Sequence, residues 1–333
     1  MRKIVPLIVG GWLMAFQPIA QGANPITFDP DGPGPEAPIQ VTTFDWLPDN
    51  ALAKGSVPLP IGGTGKSFEL YTQGKLGNFL DASANIIGGT GLNTAYEITY
   101  QAVLTEIGMA AAYPTYVVSI FRLDPGATVN YFRIYWDDSP DANPQTGEGY
   151  GDGRLILEGY AIGNDTSYTI ILDPVTGAIP TQVLDQHLSD DQAGYGSVVG
   201  VGGGQMEARV TSVDTDFFKV NLAEVVMTLA FNTYHLSPFR NAEPTGPATS
   251  VAGVVGQRPN FGGNGVDGYN WVNGLGGPCE DGSSDCDVLL EADSNMSFDT
   301  APRPTTSIPT LSGMGLGLLG MLLAGAAARR RLG

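Results

Sequence analysis

Oxygen-bearing side chains are concentrated in DDSPDANPQTGEGYGDG, which spans residues 137–153. Carboxylates, amide oxygens and backbone carbonyls are the ligands that Ca²⁺ takes in proteins. The sequence is not an EF-hand, because a loop that begins at Asp141 has Thr146 where the sharp turn of that motif needs Gly. Two interpretations stay open: a solvated loop rich in turn-forming residues, or an irregular Ca²⁺ site. The candidate ligands are Asp138, Asp141, Asn143 and Asp152.

A second stretch, GGTGKS at residues 62–67, invites comparison with the phosphate-binding loop G-x-x-x-x-G-K-[ST]. Pro60 occupies the position of the first glycine in that pattern. Because proline has no N–H group and a fixed φ, it cannot supply the backbone donor that a phosphate needs. The stretch is therefore predicted to be a loop between strands, and no nucleotide cofactor is expected.

Candidate groups for hydrolytic catalysis are few. The two histidines, His187 and His235, are not accompanied by a G-x-S-x-G nucleophile motif, and we expect both to be surface or strand residues. A carboxylate pair of the kind used in glycoside hydrolysis does not stand out among the many acidic residues. Glu97 and Glu158 lie in alternating segments, where an outward-facing position explains them. The sequence therefore indicates no catalytic residue, and we expect a protein that is not an enzyme.

The hydrophobic pattern of the middle of the chain has period two, as expected for half-buried strands. Examples are residues 96–104, 205–211 and 225–231, while turn-forming residues such as Asp124-Pro125-Gly126 separate the runs. The predicted fold is all-β: a single antiparallel β-sandwich or jelly-roll-like domain with long Gly/Pro loops, plus terminal signal and transmembrane helices. We expect one antiparallel core over residues 95–232.

Two details of this prediction are local. Residues 154–162 and 166–172 are expected to form two strands that are joined by a hairpin-like link at Gly163-Asn164-Asp165. Residues 181–188 are the one segment for which we expect a short helical turn.

The first 22 residues have the pattern of a secretory signal peptide. Arg2 and Lys3 precede an apolar run, Ile4 to Phe16, and Ala20-Gln21-Gly22 supplies the small residues of a cleavage site. An export signal implies an oxidising compartment, in which Cys279 and Cys286 are close enough in sequence to form a disulfide. Two free thiols or half of a metal site are the alternatives. The absence of other cysteines argues against zinc.

The charge of the chain is strongly acidic, with 34 Asp and Glu against 16 Lys and Arg. Five of the basic residues lie in the terminal segments, so residues 23–307 carry 11 basic and 34 acidic groups, a net charge of −23. Such a surface repels nucleic acid and anionic lipid but attracts divalent cations. No nucleic-acid partner is expected.

The C-terminus contains a second membrane signal. Residues 312–328 carry no charge and are just long enough for a transmembrane helix, and the arginines Arg329, Arg330 and Arg331 that follow belong on the cytoplasmic side. The predicted organisation is a signal peptide at 1–22, a β-rich extracellular domain at 23–300, a linker at 301–307 and a sorting tail at 308–333.

A short motif, a weak transmembrane helix and a terminal arginine cluster together resemble the PEP-CTERM class of bacterial sorting signals. The motif Ile308-Pro309-Thr310-Leu311 is similar to the IPTL variant, IPTLxxWG, although Met314 stands in place of the Trp. The resemblance implies processing by an exosortase, a membrane enzyme, after passage through the secretion machinery. It also implies transient anchoring in the inner membrane and delivery to the cell surface or extracellular matrix.

Phrases such as TGLNTAYEITYQA, YFRIYWDDSPDAN and LEADSNMSF resemble the flocculation-associated PEP-CTERM proteins of floc-forming bacteria. This resemblance implies a non-enzymatic surface protein in exopolysaccharide-linked cell aggregation, as in flocs or biofilm, without catalytic residues. The alternative is a secreted carbohydrate-binding module or glycoside hydrolase on a β-sandwich. In that case the aromatic residues available to stack on sugar rings are Trp46, Tyr135, Trp136 and Trp271.

Overall fold

The computed structural model describes residues 25–57, 59–62, 64–127, 130–143, 149–172, 176, 181–184, 192–198, 201–219, 226–233 and 286–299. The chain divides into two compact units, Met1–Thr300 and Ala301–Gly333, and all of the described residues belong to the first. Within them the structure contains strands and no helix. The all-β prediction is therefore confirmed for the described part of the chain.

The strands follow the alternation of the sequence. The short helical turn expected at 181–188 is wrong for residues 181–184, which form a strand that pairs with residues 192–198, while residues 185–188 lie outside the described residues. The described strands are β1 (Ile26–Phe28), β2 (Ile39–Val41), β3 (Thr43–Val57), β4 (Lys66–Leu80), β5 (Glu97–Tyr113), β6 (Tyr116–Leu123), β7 (Asn130–Asp137), β8 (Arg154–Ile171), β9 (Thr181–Leu184), β10 (Gln192–Val198), β11 (Val201–Val213), β12 (Val226–Thr233) and β13 (Cys286–Asp299).

The largest sheet contains nine of these strands, and all of its pairings are antiparallel. β3, β4, β5 and β6 pair in sequence order, β6 pairs with β8, and β8 pairs with β11. β11 continues through β12 and β13, and β13 pairs with β3. The circuit of hydrogen bonds therefore returns to its start. The structure is consistent with the predicted antiparallel sandwich. The pairings of β8 with β11 and of β13 with β3 close the large sheet on itself.

β6 and β7 lie end to end along the same neighbour. β5 pairs with β7 through Glu97 to Leu104 and with β6 through Glu106 to Tyr113. The turn predicted at Asp124-Pro125-Gly126 separates the two strands, and the Asp124 carboxylate accepts a hydrogen bond of 2.8 Å from the Gly126 N–H. The two short strands thus occupy one position in the circuit.

The hairpin expected at Gly163-Asn164-Asp165 is wrong, because one continuous strand, β8, runs through these residues. They pair with β11 on one side, and Asp165 also pairs with β6 on the other. The register shifts next to Gly163, so the irregular residues are accommodated as a bulge. Hydrogen bonding on both sides keeps the segment extended despite its turn-forming composition.

The core lies inside the closed sheet. Inward residues of β5, such as Ile98, Tyr100 and Leu104, contact a cluster that also includes Trp46 of β3 and Met296 of β13. The core predicted over residues 95–232 is therefore larger than expected, since strands before and after that range complete it. Burial of this apolar surface is the dominant favourable contribution to folding.

The first described residues close one end of the core with aromatic side chains. Phe28 of β1 is fully buried, and its ring centroid lies 5.2 Å from that of Phe44, 5.5 Å from that of Phe79 and 5.0 Å from that of Phe218. The pairs with Phe44 and Phe218 have the edge-to-face geometry that aromatic rings prefer. The segment between the predicted signal peptide and β3 is thus a structural part of the domain.

A carboxyl group of β5 lies inside the closed sheet. Glu106 of β5 is 2% exposed, and the side-chain amide of Asn164 donates a hydrogen bond to its carboxyl group. Burial raises the pKa of Glu106 from its usual 4.5 to about 8. The folded protein therefore retains a proton on Glu106 at neutral pH, whereas the unfolded chain releases it.

This difference predicts a pH-dependent stability. Between about pH 4.5 and pH 8 the folded state binds the proton more tightly, so the free energy of unfolding falls as the pH rises, by at most about 1.4 kcal/mol per pH unit. Glu106→Gln keeps a hydrogen-bond acceptor but cannot ionise, and should flatten this part of the curve. Urea unfolding at pH 5, 6, 7 and 8 measures the difference. Parallel curves of unfolding free energy against pH for Glu106→Gln and the unchanged protein would contradict this prediction. Glu36 is exposed, so Glu36→Gln is the control and should have the same pH dependence as the unchanged protein.

Candidate functional site

The described residues between β7 and β8, 138–143 and 149–153, fold against the outward face of β5. The Thr99 hydroxyl donates a 2.8 Å hydrogen bond to the carbonyl of Tyr150, and the Tyr150 side chain is buried and donates to Asp49 of β3. Gly151 lies so close to the amide of Gln101 that a Cβ atom there would be 2.7 Å from its oxygen. Both faces of β5 are therefore buried near Thr99 and Gln101, although the alternating sequence predicted a half-buried strand.

Glu97 is the anchor of this segment. Its side chain is completely buried, and its Oε1 accepts hydrogen bonds from the backbone N–H groups of Asp141 and Ala142 at 2.9 and 2.8 Å. Its Oε2 lies 2.6 Å from Nζ of Lys75 on β4. A buried carboxylate is tolerated only when it is paired and hydrogen-bonded, and both conditions are met here. Glu97 was predicted to face solvent, and its role in holding a loop has no local sequence signal.

Three carboxylates of the same segment converge. Oxygen atoms of Asp137, Asp141 and Asp152 all lie within 4.8 Å of one another. Partial burial, followed by the charges of Asp152 and Glu97, raises the pKa of Asp141. Ca²⁺ is bound by oxygen atoms at about 2.3–2.6 Å, so two ligand oxygens on opposite sides of one ion are roughly 5 Å apart. The carboxylate oxygens of the three residues have a similar spacing. The arrangement therefore suits a divalent cation.

The structure brings two of the four predicted ligands, Asp141 and Asp152, into this cluster. Asp138 is described but does not belong to the cluster, and Asp137 takes a place that the sequence did not assign. The cluster is defined by carboxylates, so the role of Asn143 as a ligand stays a prediction. The signal for Asp137 was the period of β7, which puts this residue on the same face as Tyr135 and therefore on the side where the loop lies. The Asp137 carboxylate also accepts a hydrogen bond of 2.8 Å from the N–H of Ser139.

The aromatic residues named as sugar-stacking candidates have different positions. Trp46 is 1% exposed and belongs to the core, while the Trp136 indole donates a 2.9 Å hydrogen bond to the Pro30 carbonyl and packs 5.5 Å from the Phe217 ring centroid. Tyr135 lies on the outward face of β7, and Trp271 lies outside the described residues. Of these four, Tyr135 is the one that the described structure leaves on an outer surface.

The second strand carboxylate, Glu158, pairs with Arg133 through distances of 2.8 Å from both Nε and Nη2 to Oε1. Other predictions fall outside the described residues: His187, His235, Cys279, the signal peptide, the linker and the sorting tail. Cys286 begins β13, and its disulfide with Cys279 stays a prediction. Among the described residues no helix is long and apolar enough to cross a membrane; the predicted span at 312–328 is not among them.

The comparisons with known proteins bear on the C-terminus. Residues 306–331 match the IPTL-CTERM motif, the family of C-terminal signals for exosortase sorting. No curated protein and no solved structure matches the chain. The predicted sorting signal is confirmed, and it defines the chain as an exported surface protein that an exosortase processes.

The anchoring role of Glu97 gives a prediction. Glu97→Gln removes a buried charge that pairs with Lys75 and accepts two backbone hydrogen bonds, so the free energy of unfolding should fall by about 3 kcal/mol. Urea unfolding measures this loss, and limited proteolysis should show earlier cleavage within residues 138–153. Exposed Glu36→Gln should change the stability by less than about 0.5 kcal/mol. Equal stability of the two variants would show that Glu97 does not hold the loop.

Proposed function

We propose that this protein acts at the bacterial cell surface or in the extracellular matrix as a non-enzymatic component of exopolysaccharide-linked cell aggregation, in flocs or biofilm. The observation that carries the proposal is the IPTL-CTERM signal at residues 306–331, which is the address of an exosortase-processed surface protein. The likeness of several sequence phrases to flocculation-associated proteins supplies the more specific role.

The positions of Glu97 and Glu158 favour structural roles for these two strand carboxylates over catalytic ones. Glu97 is tied to Lys75 and to two backbone N–H groups, and Glu158 is tied to Arg133. A general acid or a nucleophile must reach a substrate in a cleft, whereas Glu97 is completely buried beneath a loop. These two residues are therefore better explained as structural groups than as a catalytic pair for glycoside hydrolysis.

Deletion of the gene, scored for cell aggregation, tests the proposal. The deleted strain should aggregate less than the parent strain, and the full-length gene should restore aggregation. Normal aggregation of the deleted strain would overturn the proposal. Release of reducing sugar from the matrix polysaccharide by the purified protein would favour the hydrolase alternative instead.

The sorting signal predicts defined processing variants. Pro309→Ala alters the motif, and removal of Arg329 to Arg331 removes the charges that fix the orientation of the tail, so both should leave uncleaved protein in the membrane fraction. Mass spectrometry of the surface-extracted and membrane fractions measures this. Pro304→Ala, in the spacer before the matched residues, is the control and should be processed normally. Recovery of peptides from residues 313–329 in the mature surface form would show that the tail is a permanent anchor.

We also propose that Asp137, Asp141 and Asp152 bind Ca²⁺ as a structural ion, with backbone carbonyls and water completing the coordination. Their converging oxygen atoms and the net negative charge of the chain support this assignment. The ion would offset the repulsion among the carboxylates, which adds to partial burial in raising the pKa of Asp141, and would hold Asp141 and Asp152 together over β5. It would act on stability, without any part in a reaction.

This assignment predicts that Ca²⁺ raises the melting temperature of the purified protein. At a concentration about 100 times the dissociation constant, a single site adds about 2.7 kcal/mol to the free energy of unfolding. Asp152→Asn should abolish most of the Ca²⁺-dependent increase. Asp138→Asn changes a neighbouring exposed carboxylate outside the cluster and should leave it intact. The same increase in Asp152→Asn and in the unchanged protein would contradict the site.

A further inference from the structure

A row of tyrosines crosses the outward face of the sheet. Tyr71 of β4 and Tyr131 of β7 are both Cα partners of Val103, which lies between them on β5. Tyr160 of β8 is on the same face, two residues beyond Glu158, which is the Cα partner of Arg133. We call Tyr71, Tyr131 and Tyr160 the tyrosine row. Because neighbouring strands are about 4.8 Å apart, the row spans three strand spacings, roughly 14 Å.

The sheet surface between Tyr71 and Tyr131 is tightly packed. Val103 is only 2% exposed although it faces outward, and the two partly buried tyrosines flank it. The guanidinium of Arg133 lies 4.4 Å from the Tyr131 ring centroid, a cation–π contact that restrains this ring. Tyr160 is 40% exposed. The tyrosine row thus has two partly buried rings, Tyr71 and Tyr131, and one solvent-accessible ring, Tyr160.

Polar groups with unused hydrogen-bonding capacity lie beside the rings. Arg133 pairs with Glu158 and bonds to Tyr135, yet a guanidinium has five N–H donors and a carboxylate has about four acceptor sites. The Tyr71 hydroxyl donates to Glu69 at 2.7 Å. Flat apolar rings beside planar donors and acceptors match the chemistry of a sugar ring, which has apolar C–H faces and hydroxyls at its rim.

The charges on this face decide the class of glycan. Arg133 is neutralised by Glu158, exposed Arg209 is the Cα partner of Tyr160 and lies two residues from Glu207 on the same face of β11, and the chain has a net charge of −18, which repels polyanions. We infer that the tyrosine row binds a neutral polysaccharide, laid across strands β4, β7 and β8. This inference rests on the proposed function insofar as it takes the matrix exopolysaccharide to be the natural ligand, and it specifies both the binding surface and the ligand class.

The experiment uses mature protein extracted from the cell surface and affinity electrophoresis in gels that contain either a neutral glucan or polygalacturonate. The unchanged protein should be retarded by the neutral glucan and not by the acidic polymer. Tyr160→Ala should weaken glucan binding by roughly tenfold or more, since aromatic residues dominate such contacts. Tyr160→Phe retains the ring and should retain most of the binding.

Tyr113→Ala is the matched control, because Tyr113 is 39% exposed but lies at the β5–β6 turn, where it stacks on Tyr116. Its binding should equal that of the unchanged protein, and thermal melting should show that all variants are folded. Failure of the unchanged protein to bind the glucan would overturn the inference. Equal loss in Tyr113→Ala and Tyr160→Ala, or preferential binding of polygalacturonate, would also overturn it.

The same variants distinguish this inference from the proposed function. If the gene deletion abolishes aggregation but cells carrying Tyr160→Ala aggregate normally, the aggregation role stands and the tyrosine row is not its binding surface. If the deletion has no effect on aggregation while Tyr160→Ala still loses glucan binding, the row is a glycan site and the aggregation role is wrong.

Discussion

The pairing of β3 with β13 is the contact on which the rest of the described structure depends. It joins the beginning of the large sheet to its last described strand and so completes the circuit of hydrogen bonds. Trp46 and Met296, which lie on these two strands, belong to the same core cluster. A sheet without this pairing would present two rows of unpaired backbone groups and an open interior. Because the entropy of loop closure grows slowly with length, the long chain between the two strands does not prevent it.

Closure leaves the outward face as the surface on which the described strands can meet a ligand. That face of β5 is divided between two environments. Near Glu97 it is covered by the segment that carries Asp137, Asp141 and Asp152, and the buried carboxylate is compensated by Lys75 and two backbone donors. Further along, at Val103, the tyrosines of neighbouring strands flank it. The carboxylates Asp137, Asp141 and Asp152 and the tyrosine row therefore lie on adjacent parts of the same outward face.

The sorting signal and the sheet contribute independently to function. The signal at residues 306–331 acts as a linear address and requires no particular fold in the rest of the chain. The sheet provides fixed side-chain positions, which a polysaccharide contact needs and a disordered chain cannot supply without an entropic cost. The net negative charge of the chain favours the approach of a divalent cation to a cluster of carboxylates. The same charge disfavours an acidic glycan near Arg133, whose own charge is neutralised by Glu158.

The sequence by itself determined the all-β class, the turn at Asp124 to Gly126, the sorting motif, and two of the three clustered carboxylates, Asp141 and Asp152. Each is encoded by residues close together in the chain, through side-chain alternation, turn chemistry or a linear motif. Only the tertiary structure decided that β8 is continuous, that Glu97 is buried and that the tyrosine row exists. These features depend on the register between separate strands, which the summed packing and hydrogen bonding of the whole sheet fix and no local pattern specifies.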